Sequence, residues 1–419
     1  MPRLSRLASQ LQPEMAFTVL ALARALKAKG KDVVELEIGD SPFPTTPAAK
    51  AAGIRAIEAN QTGYGPSLGL PAFRAAAAKS VNAEFGFDVG PEHIVVASGA
   101  KPFEQYFAEA LLEPGDGVLI FSPHFPTYIP NLERRGARPV LVPLTVENQF
   151  RPSPYDVSRF LRTDPRPRAI FLNSPQNPTG GVATRTDLKQ IADVVKGTDL
   201  MVFSDEPYAQ MVWEGRHESI MTEPGMLDHV VSAFTFSKSY SMSGWRIGFA
   251  VAHPEIVEAM GKLINTTASC SPPFVQHAAL AALEEDSLAR DADMARFRGK
   301  VERLVDGLKG IDGLNVRMPA ATFYVFPDVR VLCNRLGITS HGLALYLLEG
   351  ADDDFGVACL GGESFGDAGR GFLRFSCAEA DERIDQALAF LPEALGREGR
   401  ISRFLADHPE FVLGEPFPV

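Results

Sequence analysis

With 419 residues, 45% of them apolar and 22% charged, the chain can bury a large core and has the length for two or three domains. A net charge of −11 with no long basic run argues against a nucleic-acid partner, and no apolar run is long enough to cross a bilayer, so no membrane role is expected. The four cysteines lack a Cys-x-x-Cys pair, the eight histidines lack His-Glu-x-x-His spacing, and residues 1–5 hold no apolar signal core; together these read as a cytoplasmic chain with reduced thiols and no metal centre.

Apolar residues at helical spacing (Leu20, Leu22, Ala23, Leu26) predict a helix over 15–29, with Gly30 as its stop. Residues 33–38 alternate apolar and acidic side chains and read as a strand, followed by the loop Gly39-Asp40-Ser41-Pro42-Phe43-Pro44. The glycine-rich stretch 63–71 misses the dinucleotide fingerprint by one residue and follows no convincing strand. A strand over 93–97, the turn Ser98-Gly99-Ala100-Lys101-Pro102 and a helix over 103–112 form what can be a phosphate cradle, because free N–H groups and the helix dipole favour an anion there. An ordinary strand-to-helix turn has the same pattern.

Further strands are predicted over 117–122, 168–172 and 200–204. Each runs into a chemically marked segment: Pro123-His124-Phe125-Pro126-Thr127-Tyr128, then Asn173-Ser174-Pro175-Gln176-Asn177-Pro178-Thr179-Gly180, then Asp205-Glu206-Pro207-Tyr208. The second is a rigid turn able to aim an amide into a crevice at the carboxyl edge of a sheet. The third offers two acids, Asp205 and Glu206, and a lone acid at such a place is commonly just a helix cap.

The chain is organised around residues 234–248, Phe-Thr-Phe-Ser-Lys-Ser-Tyr-Ser-Met-Ser-Gly-Trp-Arg-Ile-Gly, which are flanked by apolar, β-prone runs. Lys238 stands among small and hydroxylated neighbours, and a lysine amine is the side chain that forms a Schiff base with a carbonyl. Ser237-Lys238 followed by Gly244, Arg246 and Gly248 resembles the lysine signature of the class I/II aminotransferases, pyridoxal 5'-phosphate (PLP) enzymes of fold type I that include the aspartate aminotransferase-like proteins. The resemblance implies that Lys238 holds PLP, that Thr235, Ser237 and Arg246 bind its phosphate with the backbone of Ala100 and Lys101, and that Phe125 stacks on its ring. It also implies that Asn177 and Tyr208 bond the ring oxygen and that Asp205 keeps the ring nitrogen protonated. Tyr64, in the element Tyr64, Gly69, Pro71, Arg74, would reach the phosphate of a neighbouring subunit, so a homodimer with shared active sites is expected.

Residues 254–306 read as helices broken at 269–273, residues 314–329 and 356–378 as strands of a second layer, and 340–348 and 381–391 as helices. Gly362-Glu363-Ser364-Phe365-Gly366 satisfies a hydrolase pattern, but a nucleophile elbow needs a helix directly after the serine and a strand is predicted instead. Arg374, inside an apolar strand over 371–378, is costly unless paired. In the family resembled, the arginine of Arg374-Phe375-Ser376 grips the substrate carboxylate, close to Gly39 and Asn177.

The fold class expected is α/β: a large PLP-binding domain (48–292) with a mostly parallel, seven-stranded-type sheet, and a smaller α+β domain (293–419) that the N-terminal segment 1–47 joins, so that both chain ends build it. The function implied is transfer of an amino group from an L-amino acid to a 2-oxo acid, by a ping-pong route through pyridoxamine phosphate, with Lys238, Asp205 and Tyr208 catalytic. A PLP-dependent C–S/β-lyase or synthase would share the cofactor residues and is the alternative. The donor stays open between dicarboxylic, aromatic and more specialised amino acids, and the tail 400–419 has no assigned role.

Overall fold

The computed structural model describes residues 3–418. Its strands, in chain order, are β1 (Asp32–Glu35), β2 (Ile94–Ala97), β3 (Gly117–Ser122), β4 (Arg138–Pro143), β5 (Pro167–Asn173), β6 (Met201–Asp205), β7 (Val230–Thr235), β8 (Gly248–Val251), β9 (Tyr324–Val325), β10 (Phe355–Ala358), β11 (Leu360–Gly361) and β12 (Leu373–Ser376). Seven of them form one sheet in the order β2-β8-β7-β6-β5-β3-β4. Only β8 runs against its neighbours. The central strands are apolar almost without interruption, as a parallel sheet covered on both faces requires. Two separate cores cover those faces, one containing Val96, Leu119, Ile170 and Val202 and the other Val95, Val118, Phe171 and Phe203.

Helix ends follow local chemistry. Ser153 caps the helix Pro154–Thr163 by accepting from the Asp156 amide at 3.3 Å. Thr184 and Asp187 form a reciprocal capping box on Arg185–Val195. The helix Met15–Ala28 agrees with its sequence pattern to within a residue.

The second unit takes strands from both chain ends. β1 pairs in parallel with β10, and β11-β12-β9 form a small antiparallel sheet. The strands here are shorter than the apolar runs of the sequence. The strand expected over 33–38 spans only Asp32–Glu35, and 314–329 keeps only β9. Residues 356–378 break into three short strands around two 3₁₀ turns, Gly362–Phe365 and Asp367–Gly369. The turn after Ser364 also accounts for the absent nucleophile elbow. Side-chain clusters such as Phe297, Phe323 and Tyr324 dominate this core, so apolar runs there mark packing more than strand. The helix expected to span 340–348 is α-helical over Ser340–Leu345 and continues as a π-helical turn, Tyr346–Gly350.

The long helix Ser287–Lys309 serves both units. Its Arg290 donates to Tyr240 Oη (3.0 Å) and Glu84 Oε1 (2.7 Å), while Phe297, Val301 and Leu308 lie in the second core. The tail is fastened to the second unit: Phe404 is buried, and Asn334 exchanges two hydrogen bonds with the Phe417 backbone at 2.8 and 2.9 Å. No helix among the described residues is long and apolar enough to cross a membrane.

Phe203 lies at the centre of an aromatic cluster, 4.9 Å from the Phe171 ring and 5.5 Å from Phe107. Phe203→Ala is expected to cost about 3–5 kcal/mol, read as a lower urea midpoint at unchanged slope.

Candidate active site

The marked segments meet at one edge of the large sheet because parallel strands put their carboxyl ends side by side. Asn173 at the end of β5 is in register with Asp205 at the end of β6, and Asp205 with Ala233 of β7. The turn after β5 is pinned to β6: Asn173 Nδ2 donates to the Asp205 carbonyl at 2.9 Å, and Asn173 Oδ1 accepts from the Asn177 amide at 2.9 Å.

From Asn177 a continuous set of contacts leads to Lys238. Arg374 Nη1 donates to Asn177 Oδ1 at 3.0 Å, and Nη2 donates to the Glu37 carbonyl. The Arg374 guanidinium is buried between the rings of Tyr324 (4.3 Å) and Phe365 (4.8 Å), and its Nε has no hydrogen-bond partner among the described residues. Tyr324 Oη lies 3.1 Å from Tyr208 Oη. It also lies where a side chain on Gly39 would stand, since a Cβ there would be 1.8 Å away, so this position has to be glycine. The Gly39 carbonyl accepts from Lys238 Nζ at 2.6 Å. An amine and a cationic fork with an unused donor therefore share one aromatic wall.

Asp205 is buried, and Tyr128 Oη donates to its Oδ2 at 2.6 Å. Glu206, the other candidate acid, is engaged elsewhere, by Ser204 Oγ (2.7 Å), Ser219 Oγ (2.8 Å) and His217 Nε2 (2.6 Å). Successive residues leaving a strand point to opposite sides, which separates the two.

The turn before the helix Lys101–Leu111 is shaped for an anion. Gly99 has φ +98°, and no side chain caps this helix. Arg246, itself at φ +55°, sends Nη2 to the Ser98 carbonyl (3.1 Å) and Nη1 to that of Ser243 (2.7 Å). A Cβ on Gly99 would come within 2.8 Å of Arg246 Nη2, and one on Gly248 within 3.1 Å of the Ala100 amide. Both glycines therefore hold backbone, arginine and the start of the helix together. Thr235 Oγ1 and Ser237 Oγ are 2.9 Å apart beside them. Such a set of amides, hydroxyls and a guanidinium fits a phosphate, and the buried acid with Phe125 close to Tyr128 fits a protonated aromatic ring.

A cleft of about 1630 Å³ opens here, lined among others by Ser98, Lys101, Arg246, Cys270 and Glu14. Lys101 Nζ sits 5.2 Å from the Phe125 ring centre and is paired with Glu14. Tyr64 lies outside this constellation and is 92% exposed, although its neighbour Gly65 donates to Cys270 Sγ at 3.3 Å. Sequence reasoning missed Tyr128, Tyr324, Glu104 and Glu14. For Tyr128 the signal was present: it lies three residues after Phe125 at the start of the helix Tyr128–Arg135.

Comparison with known proteins gives a consistent result. Residues 31–391 match the family described as aminotransferase class I and II. The chain is 35% identical over 394 residues to a probable aspartate/prephenate aminotransferase of Aquifex aeolicus, covering 92% of this chain and 97% of that protein. It is 34% identical to an aspartate aminotransferase of Pyrococcus abyssi, covering 89% of this chain and 94% of the relative. Among solved structures, Thermus thermophilus aspartate aminotransferase with maleate superposes with a TM-score of 0.87 at 31% identity, covering 94% of this chain and all of that one.

Three buried carboxyls surround the site. Desolvation pushes Asp205 up to about 6 against the Tyr128 hydrogen bond, Glu37 up to about 7, and Glu104, whose Oε2 accepts from Thr127 and Asn131, up to about 8. In that range the folded chain keeps protons that the unfolded chain has released. The associated stability is complete below the ordinary carboxylate range and is lost as pH rises through the folded values. Glu104→Gln is expected to lose less thermal stability than the native protein between pH 5 and pH 9. Calorimetric scans with equal slopes for the two proteins would refute this.

Proposed function

We propose residue roles for a chain that belongs to the aminotransferase class I and II family and, as a PLP-dependent aminotransferase, moves an amino group between an amino acid and a 2-oxo acid. The contact series Lys238–Gly39–Tyr324–Arg374 carries the reading, because it sets a nucleophilic amine and a carboxylate fork against the same wall.

PLP, when bound, supplies a conjugated electron sink that makes the substrate α-hydrogen acidic. Lys238 Nζ would hold the cofactor and, once displaced by the substrate amine, take the α-proton and return it. Asp205 would hold the proton on the ring nitrogen. A value near 6 leaves it mostly charged at neutral pH, and Tyr128 fixes its orientation. Tyr208 and Asn177 would donate to the ring oxygen, and Phe125 would cover one ring face. The Ala100 and Lys101 amides, Thr235, Ser237 and Arg246 would hold the phosphate. Arg374, with Gly39 and Asn177 beside it, would bind the substrate carboxylate, and its unpartnered Nε and aromatic sandwich support that role.

We also propose a cytoplasmic homodimer with the domain division near residues 47 and 292. Four unpaired cysteines fit a reducing compartment. The exposure of Tyr64, together with Ile54 and Ile57 at 47% and 51%, fits a surface covered by a second copy, whose phosphate site Tyr64 would enter. The names of similar proteins span aspartate, prephenate and aromatic amino acids. All of these are aminotransferases, and the lyase or synthase alternative gains no support.

Lys238→Ala is expected to cut turnover by about 10²–10⁴-fold or more while leaving the fold intact by circular dichroism. Wild-type-like transamination without added amine would sink the assignment. Arg374→Ala should lose about 10²-fold in kcat/KM, mostly through KM, since truncating a buried carboxylate fork costs about 2–5 kcal/mol.

A further inference from the structure

Glu104 is an acid where packing alone asks for an apolar side chain. It lies in the first turn of the helix Lys101–Leu111 and is 2% exposed. Among the described residues no cation forms an ion pair with it, and Lys101, three residues earlier on the same helix, is held by Glu14. A carboxyl buried in this way is costly unless its oxygens find donors. Its Oε2 accepts from Thr127 Oγ1 at 2.6 Å and from Asn131 Nδ2 at 2.8 Å. Thr127 is the N-cap of the helix Tyr128–Arg135 and a residue type that caps helices well, yet its side chain makes no capping hydrogen bond. Its hydroxyl goes to Glu104 instead.

That contact joins pieces from three strand ends. The helix of Glu104 starts at the anion turn after β2, and Thr127 belongs to the segment after β3 that carries Phe125. The next residue, Tyr128, donates to Asp205 at the end of β6 at 2.6 Å, and its ring lies 5.8 Å from that of Phe125. Two buried acids therefore hold one short segment, Asp205 through Tyr128 and Glu104 through the residue before it. Burial and then the charge of Asp205 push Glu104 up to about 8, against the bonds from Thr127 and Asn131 and the charge of Lys101. Asp205 ionises first, at about 6. At neutral pH the two acids thus carry one charge, on Asp205, and they gain a second in mildly alkaline solution.

We propose that Glu104 is a positioning residue for Asp205: through Thr127 and Asn131 it anchors the segment that brings Phe125 and Tyr128 to that acid, and on ionising it places a second negative charge behind it. The inference rests on the reading that Asp205 faces the ring nitrogen of the cofactor. As a carboxylate, Glu104 receives charge-assisted bonds from Thr127 and Asn131, and the anchor tightens. The added charge also favours a protonated ring nitrogen, so the native protein keeps that proton to higher pH than a chain without the charge. A glutamine can accept the same two hydrogen bonds, so Glu104→Gln keeps the anchor and removes only the charge. Glu104→Leu removes both.

The first measurement uses the full-length chain without cofactor. The infrared band of buried protonated carboxyls should contain a component that fades around pH 8 and is absent from Glu104→Gln. In Asp205→Asn, where the neighbouring charge is gone, that component should fade about one unit lower. The second measurement is the pH profile of kcat/KM for the holoenzyme. Glu104→Gln should match the native protein below neutrality and show an alkaline limb about half a unit or more lower. Glu104→Leu should lose about tenfold or more at every pH, a loss that glutamine restores below neutrality. If Glu104→Leu does not fold, Asn131→Leu takes its place, and with one donor gone its infrared component should fade at higher pH. A band that Glu104→Gln leaves unchanged, or a Glu104→Gln profile that superimposes on the native one, overturns the inference. If the Asp205→Asn holoenzyme turns over like the native one, the reading of Asp205 fails, and the band of the cofactor-free chain still decides whether the two acids are coupled.

Discussion

The constraint on which the rest of the site depends is a guanidinium buried in a short strand. Arg374 lies in β12 with almost no exposure, and a charge so placed costs several kcal/mol unless it is paired. Among the described residues no carboxylate forms an ion pair with it. Its partners are an amide oxygen from the large sheet, a backbone carbonyl from the small unit and the faces of two aromatic rings. Glu37, whose carbonyl it takes, has a carboxyl lifted to about 7 by burial, which makes it a weak counter-charge near neutrality. A positive charge desolvated yet left uncancelled suits an anion of matching shape, which is the role proposed for Arg374.

Other features follow from that placement. Tyr324 puts its ring face over the guanidinium, its hydroxyl then meets Tyr208, and residue 39 can carry no side chain. The Gly39 backbone in turn gives Lys238 a carbonyl to donate to. On the far side, Asp205 is held by Tyr128 and separated from Glu206, whose own cluster of Ser204, Ser219 and His217 is turned away. The two neighbouring acids thus have different partners, set by the alternation of a strand end.

Most of the large unit was legible in the sequence because its strands are continuous apolar runs, and the residues proposed for its chemistry sit at their ends, where spacing is short and local. Lys238, Asp205, Asn177 and Arg246 all belong to such segments. The small unit was less legible. Its strands are two to four residues long, and apolar stretches such as Phe323–Val325 are set by packing against Phe297 more than by pairing. Partnerships across long separations left no local pattern: Tyr128 with Asp205, Tyr324 with Arg374, and Glu14 with Lys101 join residues that no periodicity relates. Tyr324 was part of a run read as strand, and nothing in that run distinguishes a tyrosine that covers an arginine from one that fills a core.

The pairing of β1 with β10 has a consequence for synthesis. Asp32 finds its partner in Phe355, roughly three hundred residues later, so at about 5–20 residues per second the first strand waits some 15–60 s on the ribosome for the strand that completes it. During that interval the large sheet, with its strands all contained between residues 94 and 251, can form. The early strand and its helix must meanwhile stay out of the way with their apolar faces uncovered. The chain therefore has a window of exposure at its N-terminal end, and in a cell that window is where a holding chaperone would act.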